Sequence, residues 1–125
     1  MIAHFVLLQP KPELGSEQRR MALQMLSAAS AGIPGIARFR IGRRVLHGLT
    51  GYEQAMTQDF EFALVLEFDD VEALKAYLQA PAHAVLGDLF TTATSAALAY
   101  DYDLREVGEL ASVAGKWTDS TSPRA

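Results

Sequence analysis

Cysteine is missing from this chain of 125 residues, and that absence excludes several kinds of chemistry. Without thiols the chain can form no disulfide, no thiolate nucleophile and no zinc–thiolate site. Long apolar runs are missing as well, because no stretch approaches the ~18 residues that a membrane-spanning helix needs. The first residues also lack the basic and apolar regions of a signal peptide. We therefore expect a cytoplasmic protein that has no membrane partner.

Basic residues are fewer than acidic residues in this chain, and they form no continuous basic run. The chain has 11 Lys and Arg residues against 15 Asp and Glu residues, which gives a formal net charge of −4 with histidine neutral. This balance argues against nucleic acid as the main partner, since nucleic acid attracts clustered basic side chains. Hydrophobic residues make up 50% of the chain and charged residues 21%, a proportion typical of a globular protein with a buried core.

Four apolar segments have the pattern of β-strands. We place these strands near residues 3–9, 36–46, 59–68 and 97–104. The segment between the second and third strands is mostly polar and contains two glycines, so we interpret it as a hairpin loop.

Helical patterns separate the strands. A first helix has Ser16 as its N-cap and runs to about Ala31. A second begins at Asp69, which forms a capping box with Glu72, and a third opens with Pro81. The order is β-α-β-β-α-β, which predicts an α+β fold of the ferredoxin-like type, with an antiparallel sheet and helices on one face.

The pattern predicts one domain at residues 1–104. We expect the remaining tail, residues 105–125, to be partly disordered. The role of Trp117 within this tail is left open.

The predicted sheet has apolar residues on both faces. The third strand is apolar at Leu64 and Leu66 but also at Ala63 and Val65. The fourth strand offers large side chains opposite its alanines, namely Leu98, Tyr100 and Tyr102. A sheet with helices on one face and water on the other should alternate between apolar and polar residues. The second face therefore needs a cover, and a second copy of the chain is the simplest one, so we predict a homodimer.

Five short stretches carry a resemblance to a known family. They are Ile2-Ala3-His4-Phe5-Val6-Leu7, Ile33-Pro34-Gly35, Ala63-Leu64-Val65-Leu66-Glu67-Phe68, Ala76-Tyr77-Leu78-Gln79-Ala80-Pro81-Ala82-His83 and Tyr100-Asp101-Tyr102. Together they resemble the stress-responsive dimeric α/β-barrel (Dabb) family, over residues 2 to about 104. The resemblance implies a homodimer in which two four-stranded sheets close face to face.

The resemblance also suggests candidate site residues. One plant member of the family, olivetolic acid cyclase, closes a polyketide chain by aldol condensation, and this chain is similar to it at His4, Tyr77 and His83. In the cyclase the residues that match Tyr77 and His83 form an acid/base pair, and the one that matches His4 lines the pocket. The positions that carry aromatic residues in the cyclase differ here, so its substrate does not carry over.

The residues themselves allow two interpretations. His83 would lie in the first turn of its helix, where the helix dipole disfavours a charged imidazole, so a neutral ring could accept a proton. Tyr77 lies six residues earlier, across the Pro81 turn, and His4 shares a strand face with Val6. If the trio acts as a general acid/base catalyst, it would raise the reaction rate by roughly 10²–10⁴-fold. Alternatively, the same residues have a structural role as hydrogen-bonded core side chains.

Two functions from different classes follow. The first is a Dabb-type homodimer without catalysis, which binds a small hydrophobic ligand between sheet and helices. The second is a lyase or cyclase that acts on a polyketide-like or other carbonyl substrate through a His/Tyr acid–base pair. We expect no cofactor and no metal in either case.

Other functions have weaker support in the sequence. Phe60-Glu61-Phe62 on a strand is similar to the stacking aromatics of RNA-recognition motifs, but the basic and glycine residues of those motifs are missing. No haem motif is present, although haem-degrading monooxygenases share the dimeric barrel. The three histidines lack the spacing of metal ligands. Four arginines could form an anion site or pair with Glu61 and Glu67, namely Arg38, Arg40, Arg43 and Arg44.

Overall fold

The computed structural model of the chain describes residues 1–115 and confirms the predicted order of elements. The strands are β1 (Ile2–Pro10), β2 (Arg38–Arg43), β3 (Phe62–Phe68) and β4 (Thr94–Asp103). The helices are α1 (Ser16–Ala31), α2 (Val71–Gln79), α3 (His83–Ala93) and α4 (Leu110–Ala114), with short helical turns at Glu53–Ala55 and Val107–Glu109. The ferredoxin-like α+β fold is therefore confirmed.

The four strands form one antiparallel sheet in the order β2-β3-β1-β4. In this sheet His4 of β1 lies opposite Leu66 of β3 and Asp101 of β4. Residues directly opposite one another in antiparallel strands project from the same face. His4, Leu66 and Asp101 consequently share one side of the sheet, which we call the helix face because the core helices pack there.

The core lies between the helix face and helices α1, α2 and α3. Its buried side chains are Ile2, Val6, Leu8, Leu26, Ile33, Leu64, Leu66, Phe68, Leu74, Tyr77 and Leu86. The strand residues among them have even numbers, as expected from the two-residue period of a strand. The prediction that His4, Val6 and Leu8 face the same helices as Leu64 and Leu66 is thus confirmed.

The start of α1 differs by one residue from the sequence prediction. Gly15 is the N-cap, whereas Ser16 is already the first helical residue. The backbone N–H of Gly15 donates to Oε1 of Gln18 at 2.9 Å. The glutamine three residues into the helix thus satisfies the N-cap, so the prediction of Ser16 as N-cap was wrong.

In contrast to α1, which begins one residue earlier than predicted, α2 and α3 begin later. Asp70, and not Asp69, caps α2, because its Oδ1 accepts the N–H of Ala73 at 2.8 Å. The third helix begins at His83 rather than at Pro81. A tight turn precedes it, in which the N–H of His83 donates to the carbonyl of Ala80 at 2.9 Å. This turn matters for the site because it reverses the chain between α2 and α3.

The opposite side of the sheet, which we call the open face, is apolar at its centre. Phe5 of β1 and Val65 of β3 are half-buried there. Leu98 is 40% exposed, and Tyr100 and Tyr102 are each 53% exposed. Side chains of this size and character on one face leave a continuous apolar area that a single chain does not cover.

The arginines of β2 form ion pairs with the neighbouring strand and the segment before it. Nη2 of Arg40 lies 3.6 Å from Oε2 of Glu67, and Nη2 of Arg43 lies 2.7 Å from Oε2 of Glu61. Arg38 lies 4.0 Å from Glu67. The interpretation as partners of Glu61 and Glu67 is confirmed for Arg38, Arg40 and Arg43, whereas it was wrong for Arg44, whose side chain pairs with Asp59.

The chain continues beyond the sheet in two segments with apolar surfaces. The connection between β2 and β3 contains a loop at residues 44–58, and residues 104–114 follow β4 and end in α4. Among the described residues, none of the helices has both the length and the apolar character that crossing a bilayer requires. Trp117 and the final residues, for which we expect partial disorder, lie outside the described part of the chain.

Candidate functional site

Three side chains from three different elements meet on the helix face. Tyr77 of α2 lies in the middle, with its ring centroid 5.9 Å from that of His4 on β1 and 5.1 Å from that of His83 on α3. Both pairs meet edge to face, at interplanar angles of 61° and 74°. The structure therefore brings together all three residues that the sequence singled out, and their role in binding or catalysis stays a prediction.

His4 is buried, and its ring is held by Asp101 of β4. Nδ1 of His4 lies 2.5 Å from Oδ1 of Asp101. A carboxylate only accepts hydrogen bonds, so Nδ1 of His4 carries a proton and donates it to Asp101. The side chain of Asp101 is 40% exposed, so this pair connects the buried histidine with the surface. Across residues 1–115, no three histidine or acidic side chains are grouped so that they could hold a metal ion.

Tyr77 is only 2% exposed, and its hydroxyl is engaged inside the protein. The hydroxyl donates to Oγ of Ser30 on α1 at 3.3 Å, and its ring packs against Phe68 at 5.2 Å between centroids. Burial raises the pKa of Tyr77, because desolvation disfavours the phenolate, and the bond to Ser30 offsets part of that rise. The phenol is therefore protonated near neutral pH.

His83 is the half-buried member of the trio and begins α3. Burial lowers the pKa of His83, and the nearby His4 lowers it further. The positive end of the α3 dipole acts in the same direction. Its imidazole is therefore neutral near pH 7 and can accept a proton from a molecule that reaches it from the surface.

Small exposed side chains lie next to this cluster on the helix face. Ala97 and Ala99 of β4 are in the same row as Asp101, and both are exposed although they point to the helix side. Ala99 lies opposite Val6, one step along the row from the pair of His4 and Asp101. The helices thus leave part of the helix face uncovered beside the cluster, and the floor of that uncovered strip is apolar.

Two cavities lie elsewhere, on the side of the open face. One has a volume of about 510 Å³ and is lined in part by Leu7, Ala63 and Met56. The other has a volume of about 280 Å³ and is lined in part by Val65 and Leu104. Both are shallow depressions against the apolar area that a single chain leaves bare.

Sequence reasoning missed two partners of the trio. Asp101 shares the strand parity of Ala97 and Ala99, so a carboxylate on the helix side of β4 was a signal that could have been read. Ser30 offered no such signal, because a serine near the end of a helix is common and its contact with Tyr77 spans 47 residues of sequence.

Comparison with known proteins gives a family match over most of the chain. The model of the Dabb family, the stress responsive A/B barrel domain, matches residues 2–104. No curated protein matches the sequence.

Three solved structures illustrate the similarity in fold. A Dabb family protein with a ferredoxin-like fold from Mesorhizobium loti has 23% identity and a TM-score of 0.68, and covers 84% of this chain and 97% of its own. A dimeric ferredoxin-like protein of unknown function from Thermobifida fusca has 21% identity and a TM-score of 0.63, with 82% and 90% covered. A hydroxynitrile lyase from Passiflora edulis has 15% identity and a TM-score of 0.72, with 85% and 94% covered. At these identities the likeness shows the fold alone.

Proposed function

The chain belongs to the family of stress responsive A/B barrel domains, and from that premise we propose that it is a homodimer that binds a small hydrophobic molecule beside His83. In this proposal the open faces of two sheets pack against each other. Each protomer then keeps a binding site on its helix face, between sheet and helices. The main support for the proposal is the cluster in which the buried Tyr77 contacts both the buried His4 and the half-buried, neutral His83.

The open face supports the homodimer. Leu98, Tyr100 and Tyr102 are still 40–53% exposed, so covering each of them would gain about half of the roughly 1.5–3 kcal/mol that full burial of a large apolar side chain gives. A second copy offers the same apolar area, as an isologous interface requires. Several structural neighbours are described as dimeric, among them proteins from Bacteroides fragilis and Thermobifida fusca.

The uncovered strip beside the cluster supports the ligand site. The methyl groups of Ala97 and Ala99 provide an apolar floor, and His83 offers a polar group on the side of the cluster, where Tyr77 joins it to His4. Ligand sites commonly combine an apolar lining with a few polar groups that fix the orientation of the ligand. A small molecule with an apolar body and one oxygen atom matches this arrangement.

NMR of the histidine side chains tests the ligand site. We expect addition of benzaldehyde, as a probe with an apolar ring and one carbonyl oxygen, to shift the imidazole signals of His83 with saturation. His47, in the loop at residues 44–58, is the internal control and should not respond. Equal and unsaturable shifts of both histidines would contradict the proposed site.

A lyase or cyclase is the second candidate function. It is favoured by the opposite pKa shifts of two side chains whose rings are in contact: the pKa of His83 is lowered and that of Tyr77 is raised. At neutral pH this leaves His83 as an unprotonated base and Tyr77 as a protonated acid. In a lyase reaction on a hydroxynitrile, His83 would take the hydroxyl proton, the carbon–carbon bond would break with its electron pair on cyanide, and a carbonyl would form. Tyr77 could act as the acid only by exchanging its bond to Ser30 for one to the substrate or the departing cyanide. An aldol cyclase would use the same pair to remove a proton next to a carbonyl.

Cleavage of mandelonitrile, followed by the aldehyde absorbance, tests this candidate function. We expect His83→Gln to lower any turnover by about 10²-fold or more, because a general base of this kind contributes that much. His47→Gln is the matched control and should leave the rate unchanged. If wild-type protein releases aldehyde no faster than buffer, hydroxynitrile cleavage is excluded. If His83→Gln is as fast as wild type, His83 is not the base.

A further inference from the structure

Two apolar patches lie in the segments that extend beyond the edge strands of the sheet. The first belongs to the loop at residues 44–58, and we call its exposed side chains the loop patch: Val45, Leu46, Leu49, Tyr52 and Met56. The second follows β4, and we call its exposed side chains the tail patch: Val107, Leu110 and Val113. Exposure reaches 76% at Val45 and 87% at Val107, which is high for aliphatic side chains. Within residues 1–115, no packing inside one chain covers either patch.

The loop holds its shape through contacts of its own. The N–H of Gly48 donates to Oε1 of Glu53 at 2.5 Å, and Nε2 of His47 lies 3.2 Å from the other carboxylate oxygen of Glu53. The ring of His47 meets that of Tyr52 edge to face at 5.3 Å. Because polar contacts organise the loop from inside, its apolar side chains are presented outward on a defined surface.

The tail patch has the regular spacing of one helical side. Val107, Leu110 and Val113 are three residues apart, and such residues are neighbours on a helix surface. Arg105 closes the segment at its start, since it bonds to Asp103 at 2.9 Å and to Glu109 at 3.3 Å. The tail therefore presents a short ridge of aliphatic side chains.

The topology places the two patches at diagonally opposite corners of the sheet. β2 and β4 are the two edge strands. The loop leaves β2 at Arg43, which is level with Phe62 and Leu8, whereas the tail leaves β4 at Asp103, which is level with Ile2. The two segments thus emerge from different edges and from different ends of the strands.

This diagonal arrangement has a consequence for a face-to-face dimer. If the two-fold axis of such a dimer lies between the stacked sheets and runs perpendicular to the line that joins these corners, it exchanges the two corners. It places each loop over the partner's tail and each tail under the partner's loop, in two equivalent contacts. Both segments also border the open face: Met56 lines the depression beside Ala63, and Leu104 lines the one beside Val65.

We propose that in the homodimer the loop patch of each protomer packs on the tail patch of its partner. This inference rests on the proposed homodimer and specifies which segments extend its interface beyond the two sheets. The occupant of each patch is a second copy of this chain, because one symmetry operation supplies both patches with an apolar partner.

Disulfide cross-linking tests the pairing, and the absence of cysteine from the wild-type chain removes any background. Leu49→Cys protein is mixed with Leu110→Cys protein, left to exchange subunits, and then oxidised. We expect a covalent dimer that contains one chain of each variant. Leu78→Cys, at an exposed leucine of α2, replaces Leu110→Cys as the control and should give no such product.

The outcomes separate this inference from the homodimer itself. Light scattering on the same samples reports whether dimers are present. Dimers that cross-link between loop and tail support the pairing. Dimers in which Leu49→Cys protein cross-links mainly with itself indicate that loops meet loops, and they overturn the pairing while the homodimer stands. A monomer overturns both.

A charge substitution gives a second test that does not depend on disulfide geometry. We expect Leu110→Asp to raise the dissociation constant of the dimer by about 100-fold, roughly tenfold for each of the two equivalent contacts. Leu78→Asp is the matched control, and it should leave the dissociation constant within about threefold of wild type. Equal dissociation constants for Leu110→Asp and wild type would contradict the pairing.

Discussion

The bond between Tyr77 and Ser30 allows the buried cluster to be probed by a double-mutant cycle. Both groups are only 2% exposed, so neither can exchange its partner for bulk water. Tyr77→Phe keeps the ring and removes the hydroxyl, which leaves Oγ of Ser30 buried and unpaired. Such a group costs about 1–3 kcal/mol of unfolding free energy. Ser30→Ala likewise leaves the hydroxyl of Tyr77 buried and unpaired, which should lower the unfolding free energy by a similar amount.

The double variant, Tyr77→Phe with Ser30→Ala, tests whether the two hydroxyls stabilise each other. With both hydroxyls removed, no buried polar group is left unpaired, so we expect a loss of about 1–2 kcal/mol rather than the sum of the two single losses. The coupling energy should therefore be about 1–3 kcal/mol. Urea unfolding followed by far-ultraviolet circular dichroism measures it, at one fixed protomer concentration because dimer stability depends on concentration. Additive single losses would refute the bond as an interaction that stabilises the cluster.

Three further predictions concern the surroundings of the cluster. Asp101→Ala should lower the unfolding free energy by about 1–3 kcal/mol, because Nδ1 of the buried His4 loses its acceptor. Asp101→Asn keeps an acceptor and should lower it less. Thermal unfolding that finds the two variants equally stable would contradict this prediction. The pKa of His83 lies below its ordinary value of 6.5, so the folded state binds this proton less readily than the unfolded state. The stability that His83 contributes is therefore complete above about pH 6.5 and is lost as the pH falls through the lower pKa of the folded state. In a plot of unfolding free energy against pH, His83→Gln should reduce the decline on the acid side. Asp70→Ala should cost about 1 kcal/mol through loss of the α2 cap, and a loss no larger than that of Asp69→Ala would show that Asp70 is not the cap.

Much of the fold could be predicted because strand parity is read directly from the sequence. The alternation through Phe62, Leu64 and Leu66 assigns one face of β3, and pairing with β1 then places His4 on the same side. Helix starts were less certain where two competent caps are adjacent. Asp69 and Asp70 have the same side chain, and only the backbone direction before α2 selects the second.

The candidate site was predictable in part. The turn before His83 was visible in the sequence, and it brings Tyr77 back to the imidazole ring. The partners Asp101 and Ser30 depend on register and on helix packing, which connect positions 97 and 47 residues apart. The apolar spacing of the tail was also present in the sequence. It lies in a short segment after the last strand, where a helix has no long periodic pattern to reveal it.

Light scattering of the purified protein tests most directly whether a second copy covers the open face. The chain has a mass of 13.6 kDa, and we expect a particle of twice that mass at micromolar concentration. Val65→Lys places a charge at the centre of the open face and should give a folded monomer of 13.6 kDa, while Leu78→Lys on α2 should remain dimeric. A wild-type protein that scatters as a monomer at this concentration would contradict the account.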